Sequence, residues 1–254
     1  MGGSLPDGIL PPSLLESLGL AAGDGFAYGR AYAAGFVILM ALLGLGTAFT
    51  LRKRPAAVGG KAPAFPWTGP LDSLRHALDC RKDRELFTVL MAEAIFYGVA
   101  AIAVISIANL AASLGLGNTL AGLLTASLMS GIAVGSLLAG KGTAQSWRRL
   151  AVPSAVCMAG TLLLISASPL LPETALGLPL RTGWMFASLF VCGIFGGLYL
   201  IPLASFIQVR PKASEKGKIV AVSNFVSFLS MAVFGAAFQL IGLLPPALTF
   251  TVYA

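Results

Sequence analysis

Residues 193–228 read GIFGGLYLIPLASFIQVRPKASEKGKIVAVSNFVSF, and this stretch decides the fold. A glycine-rich apolar run continues through Ile207 and stops at Gln208. Arg210, Lys212, Lys216 and Lys218 crowd the next few positions, and a second apolar run starts at Ile219. The pattern is that of two membrane-crossing helices joined by a short basic turn. Roughly 20 apolar residues are enough to cross a hydrocarbon core of about 30 Å.

The same alternation extends outward from this turn. Apolar spans are predicted at 31–51, 87–114, 119–140, 150–171, 183–208 and 219–243. Residues 244–254 open a seventh apolar segment, but eleven residues make only about 16 Å of helix, short of a crossing. Fifteen of the seventeen Lys and Arg residues fall in alternate gaps between these spans. The first such gap carries Arg52, Lys53, Arg54, Lys61, Arg75, Arg81, Lys82 and Arg84. The next carries Lys141, Arg148 and Arg149, and the last is the 210–218 turn. Only Arg30 and Arg181 lie on the other side. A polytopic membrane protein keeps its cationic loops in the cytoplasm, so the expected arrangement is multi-pass in an inner membrane with an external amino terminus.

Composition agrees with that solvent. The chain has 254 residues, 57% hydrophobic and 11% charged, with 30 glycines. A soluble domain carries about a quarter charged residues. The net charge of +7 sits in short loops and forms no basic stripe interleaved with aromatics, so no nucleic-acid partner is expected. Membrane lipids are. Cys80, Cys157 and Cys192 share no metal-ligand spacing and support neither a disulfide framework nor a metal site.

Residues 1–30 are Gly-, Pro- and Leu-rich with acidic charges, unlike the basic start of a signal peptide, and are expected to form an external loop. Residues 52–86 make a long polar connection. Within it Leu71, Leu74 and Leu78 share one helical face, which predicts a short helix lying on the membrane surface. Residues 87–254 complete a transmembrane bundle.

Small residues recur every fourth position: Ser127, Gly131, Gly135 and Ala139 in one span, Gly193 and Gly197 in another. Such stripes let helices approach closely in lipid, where no hydrophobic effect drives them together. Enzyme signatures are missing. The single histidine, His76, lacks an acid five positions on, where Arg81 stands, so the His-x4-Asp pattern of an acyltransferase is not met. No nucleophile elbow, Walker loop or dinucleotide fingerprint occurs. Neither an enzymatic reaction nor a cofactor is expected.

Among ionisable residues in the spans, Glu93 needs an explanation. A carboxylate in lipid is costly and faces a cavity, pairs with a cation or titrates. The other placement is at the headgroups beside Arg84, if the span begins later. Asn109 and Asn224 are further pathway candidates, with interhelical hydrogen bonding as the alternative. Pro202, inside a span, frees a carbonyl and favours a kink usable for gating.

Two segments carry a resemblance. Residues 135–153, GSLLAGKGTAQSWRRLAVP, end one helix in glycine and open the next after a basic turn. Lys141, Arg148 and Arg149 are expected to bond the carbonyls at the preceding helix end and to complement its dipole. With Gly135 and Gly140 this run resembles the Gly-rich basic loop between the second and third helices of each half of major facilitator superfamily transporters. It lacks that loop's acidic residue and spaced Arg pair. The 193–228 run, with its Pro-Leu…Phe-Ile-Gln segment and the Ala-x-x-Asn-Phe helix after the turn, resembles the lysophospholipid transporters of that superfamily. Some of these are fused to acyltransferases that re-acylate 2-acyl-glycerophosphoethanolamine. Arg81-Lys82-Asp83-Arg84-Glu85-Leu86-Phe87 looks like the same family's entry to a helix.

The resemblance implies an all-α membrane fold made of the carboxyl-terminal six-helix half of a major facilitator, preceded by its sixth helix and with the last helix incomplete. Residues 52–86 would then be the central cytoplasmic loop. Secondary transport of lysophospholipid is the implied function, with a first transporter half or an acyltransferase as partner. Efflux of small hydrophobic solutes and a non-transporting membrane fragment are the alternatives.

Overall fold

The computed structural model describes residues 25–50, 69–140, 147–174, 179–241 and 251. These residues are helical throughout except for short turns. In chain order the helices are α1 (Gly25–Phe49), α2 (Gly69–Asp79), α3 (Arg84–Ser113), α4 (Asn118–Ala139), α5 (Trp147–Ser166), α6 (Leu180–Val209) and α7 (Lys216–Ile241). Single 3-10 turns follow α2 at Cys80–Lys82 and α5 at Ser168–Leu170. Among the described residues, five helices, α3 to α7, are long and apolar enough to cross a bilayer. The chain is therefore an all-α protein built for multiple membrane passes.

Four of these five helices begin three residues before the apolar span that announces them, at Arg84, Trp147, Leu180 and Lys216. Each adds a polar first turn, such as Arg84-Glu85 or Trp147-Arg148-Arg149. Backbone hydrogen bonding continues past the hydrocarbon, so the helix is longer than its apolar part. Similarly α1 starts at Gly25, and residues 25–30, expected in an external loop, are helical. The structure of the rest of that loop, of residues 52–68 in the 52–86 connection and of most of the end of the chain lies outside the described residues.

The chain divides into two compact units. One takes Met1–Pro63 together with Ala111–Leu123. It contains α1, whose residues 34–49 are all exposed, and the turn after α3. That turn closes on Gly115, whose φ of 69° is in the left-handed region. The Leu116 amide bonds the Ala111 carbonyl at 2.9 Å and the Gly115 amide bonds that of Ala112 at 3.1 Å. This paired capping pattern stops a helix where glycine removes the penalty of positive φ.

The second unit takes Ala64–Leu110 and Leu124–Ala254. Its core at the cation-rich end joins Leu86, Val89 and Leu90 of α3, Trp147 of α5, Phe206 of α6 and Ile219 of α7. Ala77 and Cys80 complete it and fasten α2 to α7. The opposite face of α2 carries Leu71, Leu74 and Leu78, all exposed, as its periodicity predicts. Away from that end, α4 and α6 touch through their glycines. A Cβ on Gly131, Gly135, Gly193 or Gly197 would run into a backbone carbonyl of the facing helix. Ser127 adds a 3.0 Å bond from its Oγ to the Phe186 carbonyl. The two small-residue stripes thus form one seam.

Candidate functional site

Glu93 is nine residues into α3, about 13 Å from its start at 1.5 Å per residue, and only 6% exposed. It lies inside the protein, while Arg84 is exposed at the helix start. Ser223 of α7, itself buried, donates a hydrogen bond from its Oγ to Glu93 Oε2. Beside this pair, the Tyr199 hydroxyl of α6 donates to the Ala92 carbonyl at 3.1 Å. The Tyr199 ring stacks on Phe96, one turn along α3, with centroids 5.5 Å apart. Three helices therefore converge on the carboxyl: α3 supplies it, α7 bonds it, and α6 covers the neighbouring turn. A carboxyl buried this way, with a serine hydroxyl bonded to it, is suited to exchanging a proton or meeting a cationic group.

Ser223 is the partner that periodicity alone does not single out. Serine is common in membrane helices, and Asn224 next to it is the more polar residue. The available signal is the pair Ser223 and Ser227, four apart and both buried, which marks the inner face of α7. Asn224 and Asn109, by contrast, are exposed on the described bundle. Pro202 is buried within α6, which continues without interruption to Val209.

A second constellation sits at the cation-rich end. Asp83 caps α3: its Oδ1 accepts from the Leu86 amide at 3.2 Å, and its carbonyl accepts from Phe87 at 2.9 Å. Its other carboxylate oxygen takes the Arg210 Nε at 3.0 Å. Burial pushes the Asp83 carboxyl up, but the Arg210 bond and charge and the helix amides outweigh it and hold the group below its ordinary range. Arg210 in turn is raised by Asp83 and, more weakly, by Glu85. Glu85 bridges Arg210 at 3.7 Å and Arg148 at 3.8 Å. These four charges tie the ends of α3, α5 and α6 together.

The basic loop thus differs in part from its expected role. Arg148 does not reach back to the end of the preceding helix; it pairs with Glu85 and lies 5.2 Å over the Trp147 ring. An acid from another helix end attracts the guanidinium through full charge, whereas a carbonyl offers only a dipole. Arg149 is exposed, Gly135 is in the α4–α6 seam and Gly140 ends α4. Lys141 lies outside the described residues. On the opposite end, Arg181 holds the α5–α6 connection, donating from Nε and an Nη to the Leu171 carbonyl at 3.0 and 2.9 Å.

Neither family models, curated proteins nor solved structures give a match to this chain.

Proposed function

We propose that this chain forms the second half of a secondary transporter of the major facilitator type, carrying lysophospholipid across an inner membrane. The observation that carries this reading is the buried Glu93–Ser223 pair between two spanning helices. A structural anchor gains nothing from a carboxyl at this depth, whereas a carrier uses one to couple translocation to a proton or to a headgroup amine. The close α4–α6 seam and Pro202 suit a bundle that rocks as a body. On this reading the cation-rich end is cytoplasmic and the amino terminus external. Asn109 and Asn224 face a related first half, and an acyltransferase that consumes the imported lipid is the expected partner.

A second reading has its own observation. Phe96, Ala100, Leu128, Met158, Leu162 and Gly196 help line a cavity of about 50 Å³ with no polar side chain among its walls. Its apolar lining favours a hydrophobic solute over a headgroup. Uptake of a labelled lysophospholipid into cells expressing the chain together with a complementing first half, with and without a competing apolar solute, separates the two. In that completed transporter, Glu93→Gln should impair lysophospholipid uptake without lowering membrane abundance. Uptake that this substitution leaves unchanged removes Glu93 from the pathway and the reading with it. Reporter fusions at Gly60, Gly142 and Lys212 should report cytoplasm, and those at Gly8, Gly117 and Pro179 the outside.

A further inference from the structure

At the cation-rich end, a cavity of about 390 Å³ opens between α2 with its 3-10 turn, the start of α3 and the turn from Arg210 to Ile219. Leu86 and Ile219 form part of its wall, and both belong to the first turn of a spanning helix. The cavity is therefore at the height where helices leave hydrocarbon for the headgroup layer. The exposed leucines of α2 beside it require the same layer, since an amphipathic helix rests with its apolar face at the acyl boundary.

Four cations and three carboxylates line the cavity. Two pairs neutralise each other: Lys82 is 3.4 Å from Asp79 and Arg210 is 3.0 Å from Asp83. Lys212, Lys218 and Glu215 make no ion pair among the described residues. One more group lacks a hydrogen bond. The Nδ1 of His76 is buried without a hydrogen bond, and the nearest Asp79 oxygen, 3.8 Å away, is beyond hydrogen-bond reach. Buried polar atoms are almost always satisfied, so an orphan lining a charged cavity points to a ligand.

We infer that this cavity binds the headgroup of a zwitterionic aminophospholipid of the adjoining leaflet, its phosphate against Lys212 and Lys218 and its primary ammonium against Glu215. The unpaired set is two ammoniums, one carboxylate and an imidazole. A plain phosphate satisfies the lysines and leaves Glu215 facing a like charge. A trimethylammonium headgroup carries the positive charge but has no N–H to donate to the carboxylate. A primary ammonium next to a phosphodiester satisfies both ends through charge-assisted hydrogen bonds, and the His76 imidazole completes the phosphate shell. Bound there, the headgroup bridges α2 and the α6–α7 turn. This site needs only that the bundle sits in a membrane and is independent of any transport activity.

The test uses the full chain in nanodiscs of mixed lipid, with retained lipid identified by native mass spectrometry after partial delipidation. Phosphatidylethanolamine should be retained in preference to phosphatidylglycerol and phosphatidylcholine by about tenfold, the ratio that about 1.4 kcal/mol of selective contact gives. Lys212→Ala with Lys218→Ala should remove that retention, and Lys212→Arg with Lys218→Arg should restore it. Glu215→Gln should erase the preference for the amine while phosphatidylglycerol binds as before or better. All three positions are exposed, and unchanged helical content checks that each variant folds. Equal retention of the three lipids, or retention that survives removal of both lysines, overturns the site. Glycerophosphoethanolamine in solution displacing the lipid at comparable concentration overturns the leaflet as its source.

Discussion

The α4–α6 contact and the α3–α7 contact each bring a glycine beneath a neighbouring helix, but what that glycine meets differs. At the first, Gly131, Gly135, Gly193 and Gly197 face backbone carbonyls, which move only if a whole helix moves. At the second, a Cβ on Gly98 would meet Ser230 Oγ at 2.7 Å and the Phe234 ring at 2.8 Å, both side-chain atoms on rotatable bonds. The same α3–α7 contact holds the Glu93–Ser223 bond. One seam is fixed by excluded volume and admits a single spacing. The other is set by side chains that have alternatives, and it is the one that contains the buried carboxyl. Within one bundle, then, the rigid contact and the adjustable contact are distinct.

Breaking the rigid seam should have the largest effect. Gly135→Val drives two methyl groups toward the Ile194 carbonyl, and overpacking of that kind should cost at least about 3 kcal/mol. Thermal unfolding in detergent should show little folded protein at temperatures where the parent chain is intact. Next, Gly98→Ala should cost about 1 kcal/mol, because Ser230 and Phe234 can rotate aside. If both substitutions lower the melting temperature equally, the contrast between the seams is lost.

The smallest effect belongs to the charged ends that frame both contacts. Asp83 titrates below its ordinary range, so its bonds to Arg210 and the α3 amides add stability above the unfolded-state value. That stability fades as pH falls through the depressed folded-state value. Melting profiles of the parent chain and Asp83→Asn should therefore differ at neutral pH and converge under acid. Curves that stay parallel down to strong acid would remove Asp83 from the stability of this end.

Much of this was legible in the sequence for physical reasons. Lipid demands uniform apolarity over a fixed length, so the spans stand out, and the small-residue stripes name the seam because only glycine permits such close approach. Helix starts were displaced because hydropathy detects hydrocarbon and not hydrogen bonding. Arg148 was misplaced for a different reason. Its partner, Glu85, comes from a helix more than sixty positions earlier, and one sequence contains no information on which helix ends meet. Ser223 was hidden likewise, since a serine becomes informative only when something buried lies opposite it.

The attachment of α2 has a mechanical consequence. Ala77 and Cys80 fix this helix to α7, so its leucine face stands at one set height along the bundle. The thirty residues of α3 span about 45 Å, well over the roughly 30 Å of hydrocarbon. Wherever that leucine face rests on the acyl boundary of a bilayer, a thicker or thinner membrane cannot be accommodated symmetrically. Hydrophobic mismatch falls on the far end, where Arg181 clasps the α5–α6 connection, and bilayer thickness there becomes a force on the chain.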